Sequence, residues 1–295
     1  MSIPLTQIDW GAIERRLAHL EPVEGGYSPA TRGVITLDEG RTVFVKIGVN
    51  EHTRAWAQKE VQVYRRLRDL GYGFSPRLLS SAPDGTAFAL EALTPQDGWD
   101  WSDRWSQERL EHVLAATDRL AAMDPGGFDP SLTKPTLTEQ ADGWPRLDPI
   151  NPRTRALYPK LEALGASDLI DLVETRAGRR SAFSMRTDAL IHLDVRSDNC
   201  AWRAATREVK LVDWNWLQLG DRRIDHAVLL TTVHMSGFDV TAGYSDRLDA
   251  EALAWMAGYW FAASTKPIWP GGPPALRDFQ FEAAVTALRL AAGRT

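Results

Sequence analysis

The sequence predicts an α+β fold in two lobes: a small β-rich lobe with one main helix over residues 1–95, then a larger, mainly helical lobe over residues 96–295. Three observations carry this. Short β-favouring runs, paired across turn residues, are confined to the first third of the chain. Long segments with apolar residues at helical spacing dominate after position 106. The 295 residues, 44% hydrophobic and 25% charged, have the make-up of an ordinary soluble globular protein and suffice for two lobes. No internal repeat and no low-complexity linker interrupts them.

In the first lobe, VITL and TVFVKI are joined by Asp-Glu-Gly, a hairpin signal. TRAWAQKEVQVYRRLRDLG sets Val63, Tyr64, Leu67 and Leu70 at helical spacing, with Gly71 as its C-cap. SPRLLSSAPDGTAFALEAL reads as two more strands across a Pro-Asp-Gly turn. In the second lobe, SQERLEHVLAATDRLAAMD is an amphipathic helix with Ser106 as N-cap and Leu110, Val113, Leu114 and Leu120 on one face. Residues 125–150, rich in Pro, Gly and Asp, form a long loop region, and a helix is predicted over 156–177. ALIHL and VKLVDW read as short strands flanking the polar stretch IHLDVRSDNC, with ATRE in the turn before the second. Helices follow near 222–235, 248–264 and 275–292.

Composition narrows the function classes. A net charge of −5 and a pI near 5.7 do not indicate a nucleic-acid-binding surface. The single cysteine, Cys200, rules out an intrachain disulfide framework, and the histidines and cysteine show no zinc-type spacing. The opening MSIPLTQIDWGAIERRL lacks a basic start followed by an apolar stretch. The most apolar segment, residues 252–264, is shorter than the roughly 20 residues of a bilayer span. A cytoplasmic protein with no membrane or nucleic-acid partner is expected, monomeric or homodimeric.

Four features with chemical potential appear in order. GGYSPATRGV, with Gly26 and Ser28, is a small-residue turn into a strand, either a plain hairpin turn or a place where backbone N–H groups approach phosphate. Lys46 lies in an apolar strand, facing solvent or reaching nucleotide phosphates with Glu60 of the next helix as its partner. His192, Asp194 and Asn199 crowd one loop, and the five-residue step from aspartate to asparagine is that of the protein-kinase catalytic loop. There a carboxylate orients the attacking hydroxyl and an asparagine holds magnesium. Fourteen residues on, Asp213 ends the strand KLV where a second magnesium carboxylate belongs.

These pieces resemble the aminoglycoside phosphotransferase and choline-kinase-like family, small-molecule kinases with the protein-kinase-like fold. GGYSPATRGV, VFVKI, KEVQVYRRL, HLDVRSDN, LVDWNWLQLGD and RRIDHAVLL occur in the family's order over roughly residues 25–230. The resemblance implies a bilobal kinase-like fold and an ATP-dependent (or GTP-dependent) O-phosphotransferase using Mg2+. It implies that Gly26, Ser28, Lys46 and Glu60 serve the phosphates, and that the backbone of Glu91 to Leu93 pairs with the base. Asp194 becomes the catalytic base, Asn199 and Asp213 the magnesium ligands, Asp225 a brace for the loop, and His192 a second brace. The family commonly has glycine after the histidine and a His-Pro-Gly stretch in the loop, whereas this chain has Leu193 and Arg196-Ser197-Asp198. Arg196 either pairs with Asp198 at the surface or brings a cation to the moving phosphoryl group.

The expected acceptor is a small molecule, aminoglycoside-like or another antibiotic, an amino sugar or an amino alcohol, a set that includes cations. DGWDWSDRW interleaves three tryptophans with three aspartates, which suits either a cationic ligand or packing between lobes. Asp239, Asp246, Asp249 and Glu251 precede or begin a late helix, where acidic residues also stabilise helix N-termini. Two other functions are weighed. A kinase-like regulator without turnover would be free to lose one of Lys46, Asp194, Asn199 and Asp213, all present here. A protein kinase would need an APE-type segment after Asp213, which is absent.

Overall fold

The computed structural model describes residues 8–23, 29–268 and 272–293. After helix α1 (Trp10–Glu14), strands β1 (Glu21–Pro22), β2 (Thr31–Thr36) and β3 (Thr42–Ile47) lead to helix α2 (Glu51–Asp69), then β4 (Leu78–Ser81) and β5 (Ala87–Glu91). The strands form one antiparallel sheet in the order β1-β2-β3-β5-β4. Side-chain alternation gives this sheet two buried faces. Val43 and Val45 of β3 join Ile35, Leu79 and Ala89 in a small core with Ile8 and Ile13, beneath α1. Phe44 and Lys46, on the alternate positions, turn toward α2, where the Tyr64 and Phe88 rings lie 5.8 Å apart. Helix α1 falls where no element was predicted, since five residues are too few to show helical spacing.

Helix α2 starts at a reciprocal cap. The Thr53 N–H donates to the Asn50 side chain and the Asn50 N–H to the Thr53 hydroxyl, each at 3.0 Å. It ends at Leu70, and Gly71 turns away with φ of +70°, the conformation glycine adopts without a Cβ penalty.

The larger lobe opens with α3 (Gln107–Ala121), capped by Ser106 as predicted. After a short α4 (Pro152–Arg155), the single helix expected over 156–177 is instead two, α5 (Leu157–Ala163) and α6 (Ile170–Arg176). Gly165 supplies the break. Its φ of +64° reverses the chain and lets the Ala166 N–H cap the Leu161 carbonyl at 2.8 Å. Next come β6 (Ala189–Ile191), β7 (Cys200–Arg203), β8 (Glu208–Leu211) and β9 (Gln218–Gly220), with β6 paired to β9 and β7 to β8. Helices α7 (Arg222–Met235), α8 (Ala250–Ser264) and α9 (Leu276–Ala291) complete the lobe near their predicted positions. The structure is an α+β fold, with a five-stranded sheet in its N-terminal part and helices in its C-terminal part.

Helix α8 is buried on nearly every side, which explains the apolar run at 252–264. Among the described residues no helix is long and apolar enough to cross a membrane. The long loop seats on α8 through two glycines. A Cβ on Gly143 would lie 1.8 Å from the Gly258 carbonyl oxygen, and the neighbouring Trp144 donates its indole N–H to the Ala254 carbonyl at 2.8 Å. Because the obstacle is backbone, Gly143→Ala is expected to destabilise the protein by about 1–3 kcal/mol, read as a lower urea midpoint. An unchanged midpoint would show that the loop does not seat there.

Candidate active site

The polar stretch after β6 is a loop forced into shape from below. Leu193 has φ of +69°, a left-handed conformation that a side chain with a Cβ rarely adopts. Asp225, buried in α7, holds it there: one carboxylate oxygen accepts the His192 N–H at 2.8 Å and the other the Leu193 N–H at 2.7 Å. The leucine at this position thus holds a backbone conformation that glycine adopts without strain, and the clamp bears the cost.

His192 is fully buried and fixes the next turn. Its Nδ1 accepts the Asp194 N–H at 3.3 Å, so the ring proton sits on Nε2 and is donated to the Val212 carbonyl at 2.9 Å. Burial lowers its pKa, against the opposing charge of Asp194. The unfolded chain therefore takes up a proton below about pH 6.5 that the folded ring refuses. The histidine's contribution to stability is full above that pH and lost as pH falls. Because Glu60 and Asp225 titrate with the opposite sign in the same window, the histidine's share is read as a difference: the stability gap between the parent protein and His192→Gln should narrow from pH 7.5 to 5.5. Ring NMR should show the Nε2–H tautomer at pH 6; a protonated ring at that pH would refute the assignment.

The β7–β8 hairpin then closes a gap in sequence. Across its base the Val212 N–H donates to the Asn199 carbonyl at 3.0 Å, which brings Asn199 beside Asp213. The Asn199 amide N–H₂ donates to the Asp194 carbonyl at 2.8 Å and to the Asp194 carboxylate at 3.0 Å, leaving the Asn199 side-chain oxygen for another partner. Asp213 is itself left-handed, with φ of +66°.

Lys46 reaches this centre from the small lobe. Its ammonium lies 2.6 Å from both Glu60 and Asp213, and both Lys46 and Glu60 are buried rather than solvent-facing. Burial would lower the Lys46 pKa, but the two carboxylates hold it above its ordinary value. Burial pushes the Glu60 carboxyl up to about 7 against the pull of Lys46. Burial also acts to raise Asp213, yet Lys46 holds it below the usual carboxylate range. Asp225, with burial dominant over its two N–H donors, is pushed up to about 7.

Arg196 is committed to the loop itself. Its guanidinium meets both Asp194 carboxylate oxygens, Nε at 2.7 Å from one and Nη2 at 3.1 Å from the other, while Asp198 lies farther off at 3.3 Å. The pairing with Asp198 exists, but Asp194 is the closer partner, and Arg196 is buried rather than at the surface. Cys200 is a buried thiol whose pKa burial raises far above its usual value, so it is no nucleophile.

The structure thus brings Lys46, Glu60, Asp194, Arg196, Asn199 and Asp213 into one network. Glu91, the last residue of β5, and Leu93, two residues beyond it, stand apart from that network. Glu91 pairs with Arg77, and the Leu93 carbonyl accepts the Trp101 indole N–H at 2.8 Å, so one lone pair of that carbonyl is taken. A cavity of 420 Å³ opens there, lined by Glu91, Leu93, Trp99 and Lys210 among others, but by none of the charged groups of the network. Gly26 and Ser28 lie outside the described residues.

The tryptophans of DGWDWSDRW take the packing role. Trp105 donates to the Ser197 hydroxyl at 3.1 Å, Arg203 stacks 4.6 Å over Trp99, and Asp100 bridges to Trp202. Sequence reasoning passed over Arg109, a fully buried cation that donates to the carbonyls of Ser102 at 2.6 Å and Cys200 at 2.8 Å. It fastens this segment to the residue after Asn199. A single arginine in a helix gives no signal of such a role.

Two oxygens remain suited to a hard cation: the Asn199 side-chain oxygen and the Asp213 oxygen not facing Lys46. Among the described residues no group of three or more His, Cys, Asp or Glu could hold a metal alone. A two-ligand site completed by phosphate oxygens is how magnesium is commonly bound.

A profile of the phosphotransferase enzyme family matches residues 19–264. Among solved structures, choline kinase LicA from Streptococcus pneumoniae aligns with a TM-score of 0.53 and 13% identity, over 91% of this chain and 92% of that one. The ADP-bound aminoglycoside phosphotransferase APH(2'')-Ib gives 0.50 and 12% over 96% and 99%. A choline/ethanolamine kinase family protein from Mesorhizobium loti gives 0.50 and 16% over 92% of each chain. A search of curated protein sequences finds no match. At such identities the likeness to these structures is one of fold.

Proposed function

Since the chain belongs to the phosphotransferase enzyme family, we propose that it transfers the γ-phosphate of ATP or GTP to a hydroxyl group of a small molecule. The observation that carries the proposal is the convergence of Lys46, Asp194, Asn199 and Asp213 from two lobes onto one hydrogen-bonded centre.

In this reading Lys46, fixed by Glu60, binds the nucleotide phosphates, and the hinge at Glu91 to Leu93 takes the base. Asp194 receives the proton of the acceptor hydroxyl as its oxygen bonds to the γ-phosphorus, while the bond from that phosphorus to the bridging oxygen breaks and the nucleoside diphosphate leaves. Asn199 and Asp213 would hold magnesium, which supplies neutralisation of the phosphate charge. Arg196, bound to Asp194, lies beside the path of the phosphoryl group, where a fixed cation favours the charge developing in the transition state. Asp225, His192 and Arg109 position the loop and touch no reactant.

The test is nucleotide consumption with and without magnesium, against hydroxylated small molecules. Expected is acceptor-dependent turnover that needs magnesium, with Asp213→Asn raising the magnesium requirement. Nucleotide that binds, as seen by a shift in melting temperature, but is never transferred would favour a kinase-like regulator instead.

A further inference from the structure

Asp213 is placed by the turn that follows it as much as by the strand before it. After the left-handed Asp213, residues Trp214–Trp216 form a single 3₁₀ turn, closed by the Leu217 N–H on the Trp214 carbonyl at 3.1 Å. The larger lobe holds this turn from one side. The Trp214 ring is fully buried, and its indole N–H donates to the Leu211 carbonyl at 2.9 Å. One residue past Leu217, the buried Gln218 side chain accepts the Thr136 hydroxyl at 2.8 Å and the Leu137 N–H at 3.1 Å.

The small lobe holds it from the other side. Lys59, next to Glu60 on α2, donates its ammonium to the Leu217 carbonyl at 2.7 Å, a bond between residues 158 apart in sequence. Three residues earlier, on the same face of the helix, the Trp56 ring meets the Trp216 ring with centroids 6.1 Å apart and planes at 50°. A helix lysine ordinarily keeps its ammonium in water. Lys59 gives up part of that hydration for a neutral carbonyl, and burial lowers its pKa. The bond closes a circuit. It runs from Lys59 to Leu217, back along the turn to Asp213, across the Lys46 ammonium at 2.6 Å on each side to Glu60, and to Lys59 again through one peptide unit.

Resting on the phosphotransferase reading, we infer that Lys59 is a positioning residue for the magnesium-nucleotide site: its hold on the Leu217 carbonyl fixes α2 against the turn after Asp213, so that Glu60, Lys46 and Asp213 keep their mutual geometry before any ligand arrives. Lys59 touches no reactant. Without it, α2 and the turn can shift relative to one another. Lys46 can then follow Glu60 or stay with Asp213, but cannot serve both, and the Asp213 oxygen that faces away from Lys46 loses its fixed direction. Holding a site in its binding geometry in advance removes an ordering cost that the ligand would otherwise bear.

The experiment is calorimetric binding of magnesium-ATP to the parent protein, Lys59→Met and Lys59→Arg, with urea midpoints measured alongside. Expected is a Kd about tenfold higher in Lys59→Met, the lower end of the 10–100-fold commonly lost with a group that supports a metal ligand. Lys59→Arg, whose guanidinium can donate to the same carbonyl, should stay close to the parent value. Should the methionine variant not fold, Lys59→Gln takes its place with the same expected direction. An unchanged Kd overturns the inference whatever the urea midpoint does, since a plain staple between the lobes would act on stability alone. Equal losses in the methionine and arginine variants overturn it as well. Arg65→Gln, on the exposed face of the same helix, removes an equal charge and should leave the Kd unchanged; a matching loss there would reduce the effect to net charge and sink the assignment. The parent protein separates the failures. If it binds magnesium-ATP and Lys59→Met binds it equally well, the positioning role fails alone; if the parent binds none, the phosphotransferase reading falls and this inference with it.

Discussion

Asp194→Asn is expected to lower kcat by about a thousandfold, within the 10²–10⁴ range of a lost general base, while leaving the fold and nucleotide binding intact. The substitution is close to isosteric, and the fixed parts of the loop do not depend on the carboxylate charge. Asp225 still clamps the backbone of His192 and Leu193, and the Asn199 amide still reaches the residue 194 carbonyl. What disappears is a group able to accept the hydroxyl proton. Arg196 loses a bidentate partner in the same step, but retains Asp198 at 3.3 Å. Rapid-quench turnover and the ATP-induced shift in melting temperature, measured together, check both halves. Turnover within tenfold of the parent protein would mean that the proton leaves by another route.

Much of this site could be read from the chain because its parts lie at fixed short spacings or at element ends. Asp194 and Asn199 share one loop, and Asp213 terminates the strand after it, so their convergence needs only a hairpin. Lys46 could be paired with Glu60 because a strand followed directly by a helix leaves few partners. Contacts carried by chain reversal over long distances left no such trace. Arg109 lies 91 residues from the Cys200 carbonyl it holds. Asp249 could be read from the sequence either as a ligand-facing acid or as a helix cap, and only the folded chain shows that it caps α8 through the Ala252 N–H. In the same way, the break at Gly165 lies within a run of good helix formers, and only the left-handed turn there reveals two helices, α5 and α6, in place of one.

Lys46→Met is expected to damage stability as much as activity. The ammonium is the shared counter-charge of two acids, and removing it leaves Glu60 and Asp213 facing one another in a buried site. Breaking a buried ion pair from one side costs about 3–5 kcal/mol, a large share of the 5–15 kcal/mol typical of a domain. The loss should depend on pH with a definite sign. Glu60 is raised to about 7 even with the lysine present, and without it no cation opposes burial, so its folded pKa climbs further above its ordinary 4.5. A carboxyl whose folded pKa exceeds its unfolded one supports the folded state below the unfolded value. That support is lost as pH rises through the folded value. The variant should therefore lie closest to the parent protein near pH 5 and fall away steadily toward pH 8, with nucleotide binding impaired throughout. Urea unfolding at pH 5 and pH 8 measures the difference. A gap that is constant across that range would mean that Glu60 keeps its charge without the lysine, and the buried triad would then owe its ionisation to something other than Lys46.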